Sequence, residues 1–454
     1  MADAERKSTQ SFPVFRVVGA PVRGRLDRAL SVFADVRAGE GASALLMALN
    51  GFLLLAAYYL LKTVREALIL SEGGAEVKTY SAAGQALLLL AVVPAYGLFA
   101  SRVNRTRLIS WVSLFFIANL ALFAAAGSHG LRVGVVFFLW LGIFNVLVVA
   151  QFWAFANDLY TETQGKRLFP VIGAGVSTGA WLGARAASKW MHALGPYGMM
   201  LAAAAMLGAT VLITLAVNRR EVARAPKDKA AEAAQAIGGR GGFQLVARDR
   251  YLLLIALLVV LLNVVNTGGE FLLSKLVTAE AARVAGWGPE AAAARRTFIG
   301  EFYGAFFSWV NLAGVLLQMF LVSRVFHYAG VRGALFVLPL IALGGYSIMC
   351  VAPALAIIRL VKILENATDY SIQNTARHAL FLPTSRQAKY KAKAAIDTFF
   401  TRFGDVLAAG VVFAGSALKL SLAAFAGINL ALTLVWLAVV FLIGREHARR
   451  AAAR

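Results

Sequence analysis

Long runs of apolar residues, separated by short polar and basic segments, make up most of this 454-residue chain. Several runs exceed the length of about 20 residues that a helix needs to cross a bilayer. They are continuous rather than alternating, which indicates helices and not the strands of a transmembrane barrel. The pattern therefore predicts an all-α membrane protein with twelve transmembrane helices, at about 44–70, 80–101, 108–127, 132–159, 169–190, 198–217, 251–275, 297–323, 333–352, 354–380, 394–417 and 421–443.

The predicted spans form two sets of six around a basic stretch that has an Ala-rich and a Gly-rich piece. Two parallel six-helix halves are the architecture of a major-facilitator-type transporter, in which the substrate binds near the bilayer midplane between the halves. We predict five segments: a cytoplasmic basic N-terminal segment at 1–43, a first six-helix bundle at 44–217, a cytoplasmic linker at 218–250, a second six-helix bundle at 251–443 and a cytoplasmic tail at 444–454.

The chain is 60% hydrophobic, with a mean hydropathy of +0.71, and carries a net charge of +22. Cytoplasmic loops of membrane proteins collect Lys and Arg, and the basic connections here alternate along the chain. We therefore expect an integral protein of the bacterial inner (plasma) membrane with both termini cytoplasmic. Residues 1–40 lack the apolar core of a cleavable signal peptide. Leu26, Leu30 and Phe33 lie on one face there, which fits an interfacial helix, although a disordered lead-in fits as well.

A charged stretch at about 359–405 interrupts the apolar pattern of the second half. Lys362, Glu365, Asp369 and Gln373 follow one another at steps of three, four and four, so they share one helix face. A charge near the bilayer centre costs about 2.5–3.5 kcal/mol, so such charges are normally kept for pairing or function. We predict that this polar face points inward. Further candidates from the same stretch are Lys393, Asp397 and Arg402.

Two other spans hold charged residues within apolar surroundings. Span one carries Lys62, Arg65 and Glu66, and span seven carries Asn266 and Glu270 on one face. Glu66 is placed to neutralise one of the two cations as a purely structural ion pair, for example Lys62 four residues earlier. The remaining positive charge in span one indicates an anionic ligand, because ammonium and guanidinium groups are the usual partners of phosphate oxygens.

Other motifs have simpler explanations. GAGVSTGAWLG follows no strand and lacks the Gly-Lys-Ser of a phosphate loop, so the spacing of Gly175, Gly179 and Gly183 predicts close helix packing. The aromatic residues Phe152 and Trp153 fit a core or interface position better than a stacking site. The five histidines are scattered, and we predict no metal site, no cofactor and no enzymatic activity.

Three motifs together resemble the ATP/ADP translocases of intracellular bacteria and plastids. They are YYLLKTVREAL at 58–68, FWAFANDLYTETQGKRLFPVIGAG at 152–175 and ENATDYSIQNTARHALFLPTSRQAKYKAKAAIDTFFTRFGD at 365–405. The resemblance extends over about 45–440. It implies a twelve-helix carrier that exchanges nucleotides by alternating access.

The resemblance also implies a set of substrate residues. In this family a basic residue of the first helix, an acidic residue of the seventh and a lysine before the eleventh are essential, and they fall on Arg65, Glu270 and Lys393. Lys62 matches a basic position common in the first-helix motif. Family exchangers carry a glutamate in the fourth helix where this chain has Leu141. This departure concerns the transported species rather than the fold.

We therefore expect antiport of ATP and ADP, or of a related nucleotide, in the lipid bilayer. Lys62, Arg65 and Lys393 are expected to bind phosphates, and Glu270 is expected to pair with them when the site is empty. One alternative is a carrier for another organic anion, with proton coupling through Glu270 or Asp369 as an option. Another is a non-transporting component that senses nucleotide. No nucleic acid and no required protein partner are indicated.

Overall fold

The computed structural model describes residues 36–37, 39–100, 105–222, 242–286, 288–385 and 388–452, and these are almost entirely helical. The helices are α1 (Gly41–Glu72), α2 (Gly74–Ala100), α3 (Arg105–Ser128), α4 (Gly134–Leu159), α5 (Glu162–Val222), α6 (Gly242–Arg248), α7 (Arg250–Ala285), α8 (Ala292–Leu316), α9 (Val322–Val351), α10 (Leu355–Thr368), α11 (Asn374–Ala379), α12 (Lys393–Ala395), α13 (Thr401–Ala417) and α14 (Leu422–Ala452). The possible interfacial helix before residue 36 and much of the predicted linker lie outside the described residues.

Nine helices in the described part of the chain are long and apolar enough to cross a membrane, which confirms an all-α membrane protein. Two of these nine stretches bend at a glycine with a left-handed backbone, Gly195 (φ 63°) in α5 and Gly330 (φ 62°) in α9. Glycine tolerates this conformation because it has no Cβ. Predicted spans five and six are therefore two arms of α5, and spans eight and nine meet at Gly330. The count of twelve stays a prediction.

The charged stretch of the second half is helical, but it is irregular. A π-helical turn at Asp369–Gln373 separates α10 from α11, and another at Ile396–Phe400 separates α12 from α13. Lys362, Glu365 and Gln373 are buried, which confirms the inward polar face. The π turn at Asp369–Gln373 interrupts the regular helical spacing of that face, and π turns are frequent at functional sites.

We call α1–α5 the N-terminal bundle and α7–α14 the C-terminal bundle. In the N-terminal bundle, α5 packs along α1. A Cβ added at Gly175, Gly179 or Gly183 would lie less than 3.0 Å from backbone atoms of α1. This confirms that the glycine spacing serves helix packing. Phe152 is buried in the core of the same bundle, as expected for a core aromatic residue.

The two bundles meet along α1, α2 and α5 on one side and α7, α8 and α13 on the other. Aromatic contacts mark this interface: the rings of Tyr59 and Phe307 are 6.1 Å apart, and those of Tyr80 and Phe413 are 6.4 Å apart. Every long helix that contributes to the interface belongs to a predicted span. The residue limits of the five predicted segments stay predictions.

Candidate functional site

A chain of ion pairs begins on α1 at the interface between the bundles. Glu66 is 1% exposed, and both of its carboxylate oxygens have cationic neighbours. Arg65 donates from Nε to Oε1 at 3.1 Å, and Nζ of Lys78 on α2 lies 2.7 Å from Oε2. Two cations therefore surround one buried carboxylate, which is the kind of pairing that makes buried charge tolerable in a membrane.

Lys78 extends this chain of ion pairs to the C-terminal bundle. Its ammonium lies 3.6 Å from Oε2 of Glu270 on α7 and donates to Oγ of Ser274 at 3.0 Å. Ser274 in turn lies 3.1 Å from the hydroxyl of Tyr303 on α8. Lys78 thus contacts carboxylates of both bundles, and it was not among the residues singled out from the sequence. Helix α2 begins at Gly74 rather than near residue 80, which places this lysine inside the helix.

Glu270 continues the chain of ion pairs toward α10. Nζ of Lys362 lies 3.8 Å from Oε1 of Glu270, and Asn366 donates to the same oxygen at 3.2 Å. Lys362 is fully buried, donates to Oδ1 of Asn266 at 2.6 Å and pairs with Glu365 at 2.9 Å. A Cβ at Gly269 would meet the Lys362 side chain, so the glycine allows this close approach.

The structure corrects two predicted pairings. Glu270 has cationic partners, but they are Lys78 and Lys362 and not Lys62, Arg65 or Lys393. Glu66 pairs with Arg65 and Lys78, and the suggested pair with Lys62 is not formed. Lys78 lies close to both carboxylates, whereas Lys393 is paired elsewhere, with Asp397.

Lys62 differs from the cations of this chain of ion pairs. It is half-buried, and its ammonium lies over the rings of Phe307 (4.2 Å to the centroid) and Tyr59 (5.2 Å). Among the described residues it forms no ion pair with a carboxylate. The ring faces stabilise the cation only in part. Lys62 therefore lies beside the chain of ion pairs as a cation that is open to an added anion.

The remaining candidates lie apart from this chain of ion pairs. Lys393 pairs with Asp397 at 2.6 Å, and these two side chains are 28% and 42% exposed. Arg402 pairs with Asp405 at 3.4 Å. No ion pair among the described residues connects these two pairs to Glu270. The structure therefore brings together Lys62, Arg65, Glu66, Asn266, Glu270, Lys362 and Glu365, and it does not bring in Lys393, Asp397 or Arg402.

A cavity of about 890 Å³ lies between the two bundles. Helices α1, α5 and α8 line it, together with the π turn at Leu317–Leu321 and with Tyr370 of the π turn at Asp369–Gln373. Most of the wall is apolar, and polar groups are contributed by Tyr59, Ser177, Thr178, Asn311, Gln318 and Tyr370. Tyr59 lies one helical turn before Lys62 on α1, so the wall of the cavity leads directly to the unpaired ammonium. A pocket of this volume is large enough for a nucleotide-sized ligand.

Polar contacts join the bundles at one end of the molecule, where α1 and α7 finish and α8 begins. We call this the latch end. There Arg296 donates to the hydroxyl of Tyr197 at 3.1 Å, Ser188 donates to the carbonyl of Glu301 at 3.0 Å, and Lys275 pairs with Glu76. At the opposite end, the ion pair between Glu40 and Arg167 and the ion pair between Asp249 and Arg450 each lie within one bundle. The cavity lies toward that opposite end.

Comparison with known proteins identifies the relatives of this chain. The family model described as "TLC ATP/ADP transporter" matches residues 292–447. The chain is 22% identical to ADP,ATP carrier protein 1 of Chlamydia pneumoniae, over 57% of this chain and 56% of the relative. It is 25% identical to the protein of the same name from Chlamydia trachomatis serovar D, over 57% of this chain and 54% of that relative. The match spans about half the length of these curated relatives. The resemblance to the ATP/ADP translocase family is thereby confirmed.

Solved structures of transporters share the fold. The nucleoside transporter NupG superposes with a TM-score of 0.63 at 14% identity, covering 87% of this chain and 98% of that chain. A bacterial homologue of the iron transporter ferroportin in an inward-facing state superposes with a TM-score of 0.60 at 13% identity, covering 89% of this chain and 98% of that chain. At such identities the likeness concerns the fold alone, and it confirms the predicted major-facilitator-like architecture.

Proposed function

We propose that this relative of the ATP/ADP translocases exchanges adenine nucleotides, or a related nucleotide, across a membrane by alternating access. One observation carries the proposal. The large cavity between the bundles has Tyr59 in its wall, and the next turn of α1 presents Lys62, which has no carboxylate partner among the described residues. An anion that enters the cavity therefore meets an uncompensated cation at its inner limit.

The charges beyond Lys62 fit the same function. Three cations and three carboxylates form the chain of ion pairs: Arg65, Lys78 and Lys362 with Glu66, Glu270 and Glu365. They balance, so Lys62 is the excess charge. Phosphate oxygens that reach Lys62 can also compete with the carboxylates for Lys78 and Arg65, because ammonium and guanidinium groups bind both.

This competition provides a physical basis for exchange. Lys78 connects the bundles through Glu66 and Glu270, so a phosphate group that takes over Lys78 weakens the latch end. When the anion leaves, the carboxylates pair with the cations again and no charge stays alone in the membrane. Such a cycle requires an anion that binds the two forms of the carrier with similar affinity.

The proposed location is the bacterial inner membrane with both termini cytoplasmic. The cavity then opens toward the cytoplasm, and the latch end faces the other side. Lys393 remains a proposed phosphate-binding residue on the family resemblance alone. In this conformation its ammonium is held by Asp397 on the next turn.

Uptake of labelled ATP into proteoliposomes tests this function. Liposomes preloaded with ADP are compared with empty liposomes and with protein-free liposomes that are also preloaded. We expect uptake in the first sample alone. Uptake without ADP inside would contradict exchange and favour a coupled carrier. The absence of uptake in all samples, with folded protein, would contradict ATP transport, and the family resemblance would then extend to the fold but not to this substrate.

Proton coupling is a second candidate, and one observation favours it. The acidic side chains of Glu365 and Asp369 are packed inside the C-terminal bundle, and each has a buried carboxylate oxygen without a hydrogen-bond partner. In the liposome assay a proton-coupled carrier would take up its substrate when a pH gradient replaces the internal ADP.

A further inference from the structure

A small cavity of about 10 Å³ lies within the C-terminal bundle, apart from the large cavity between the bundles. Its polar lining consists of Asn266, Glu365, Asp369 and Trp436, and aliphatic side chains of α7 and α9 complete the wall. This volume corresponds to about one water-sized sphere. Apolar cavities of this kind stay dry, but a polar one needs two to four hydrogen-bonding groups to hold a water molecule.

Three polar atoms of the lining residues meet that requirement. Oε1 of Glu365 and Oδ1 of Asp369 are buried and have no hydrogen-bond partner, and the indole N–H of Trp436 also lacks one. Trp436 is only 2% exposed, and Trp N–H groups are normally paired when they are buried. Two acceptors and one donor thus border a space of the size of one water molecule.

The two carboxyl groups differ in their ionic partners. Glu365 pairs through its other oxygen with Lys362 at 2.9 Å and accepts from the hydroxyl of Tyr346 at 3.2 Å. Asp369 has no cation within 4.0 Å among the described residues. The other charged groups that face this region are Glu270 on α7 and Arg377 on α11. Of these groups, Asp369 is the carboxyl whose negative charge is least compensated.

We propose that this cavity is a proton-binding site, in which one proton is held by Asp369 and shared with Glu365 through a water molecule. Two carboxylates in one low-dielectric space cannot readily both be ionised, so one of them retains a proton. The neutral Asp369 then becomes a donor, the water accepts from Trp436, and each unpaired atom gains a partner. A sodium ion fits less well, because the lining includes the indole of Trp436, whose N–H group is a hydrogen-bond donor and not a ligand for a cation.

The site has a direct electrostatic link to the large cavity. Lys362 pairs with Glu365 on one side and approaches Glu270 on the other. A proton on Asp369 makes the interface more positive by one charge, which favours an anion at Lys62. By thermodynamic linkage, an anion at Lys62 favours the proton equally. This coupling rests on the proposed function, whereas the proton site itself does not.

Infrared difference spectra of the purified protein, recorded during an acid titration, test the site without any substrate. We expect a protonated-carboxyl absorption that Asp369→Asn removes and that Asp249→Asn retains, since Asp249 pairs with Arg450 far from the cavity. The same absorption in Asp369→Asn and wild type would overturn the proposal. A titration that requires sodium would also overturn it, in favour of a sodium site.

A second variant covers the case in which Asp369→Asn does not fold. Trp436→Phe keeps an aromatic ring and removes the indole donor, so we expect the carboxyl absorption to shift in frequency. An unshifted absorption contradicts the proposed water-bridged arrangement.

Calorimetry of ATP binding in two buffers with different ionisation enthalpies tests the coupling. At a pH near the midpoint of the infrared titration, where the site is only partly protonated, wild type is expected to take up a proton when ATP binds, and Asp369→Asn is expected to bind ATP without this uptake. ATP binding without proton uptake by the wild type contradicts the coupling. The absence of ATP binding contradicts the proposed function, while the infrared titration still decides the proton site.

Discussion

The ammonium of Lys78 on α2 lies 3.6 Å from the carboxylate of Glu270 on α7, so an ion pair crosses the interface between the two bundles. Lys78 is also paired with Glu66 of its own bundle at 2.7 Å. Lys78, a residue of the N-terminal bundle, therefore forms an ion pair with each of the two bundles. An anion that binds Lys78 changes both contacts, which makes this residue the expected connection between substrate and conformation.

Removal of Lys78 is expected to open the latch end. In Lys78→Ala the carboxylates of Glu66 and Glu270 lose their common partner and the bundles lose one contact. A loss of about 1.4 kcal/mol changes the ratio of two forms about tenfold. The measurement is the rate of maleimide labelling at Ser188→Cys, in a Cys350→Ser background, because Ser188 contacts Glu301 across the interface.

Arg283→Ala is the control for that experiment. Arg283 is exposed and pairs with Glu280 on its own helix, so its removal leaves the interface unchanged. Faster labelling in Lys78→Ala than in the control is the expected result. Equal rates in the two variants would show that the pair with Glu270 does not hold the bundles together.

Substitution of the α5 glycines is expected to destabilise the N-terminal bundle. In Gly179→Ala the added Cβ would meet the backbone at Phe52 of α1. Overpacking of this kind typically costs about 1–3 kcal/mol. Thermal unfolding in detergent measures the effect. Gly208→Ala, where a Cβ meets no atom within 4 Å, is expected to leave the stability unchanged or raise it. Equal stability of the two variants would contradict the close packing of α1 and α5.

The stability provided by Glu40 is expected to depend on pH. Burial raises the pKa of this carboxyl, but hydrogen bonds from Arg167, Arg37 and Gln164 outweigh burial and leave the pKa below its ordinary value. The contribution is therefore present above the ordinary pKa and is lost as the pH falls through the lowered one.

Unfolding temperatures of wild type and Glu40→Gln, measured at neutral and at acid pH, test this dependence. The variant is expected to be less stable at neutral pH, by about 1 kcal/mol, because the two-pronged contact with Arg167 is lost. The difference should disappear in strong acid. A difference that persists there would indicate a loss of packing and not of charge.

The sequence allowed much of this architecture to be predicted, for physical reasons that particular residues illustrate. Apolar runs and their basic connections indicated a helical membrane protein, and the spacing of Lys362 and Glu365 indicated an inward face. Helix periodicity gives the direction of a side chain within its own helix. It does not give the partner on another helix, so the pairing of Glu270 with Lys78 was not predicted.

Two further features were beyond sequence reasoning. Lys78 stands close to the predicted start of an apolar run, where a lysine usually anchors a helix end at the membrane surface. The π turn at Asp369–Gln373 has no sequence signal comparable to proline or glycine. Both features depend on contacts between helices that are distant in the sequence.

The most direct test of the central claim is ADP-driven ATP uptake by Lys62→Ala. Loss of a charge-assisted hydrogen bond typically costs about 1.5–3 kcal/mol, which corresponds to a rise of about ten- to a hundredfold in the ATP concentration needed for half-maximal uptake. Lys189→Ala, which removes an exposed lysine of α5, is expected to behave as wild type. Lys62→Arg should retain part of the affinity. Unchanged uptake by Lys62→Ala would contradict the assignment of Lys62 as the cation that receives the substrate.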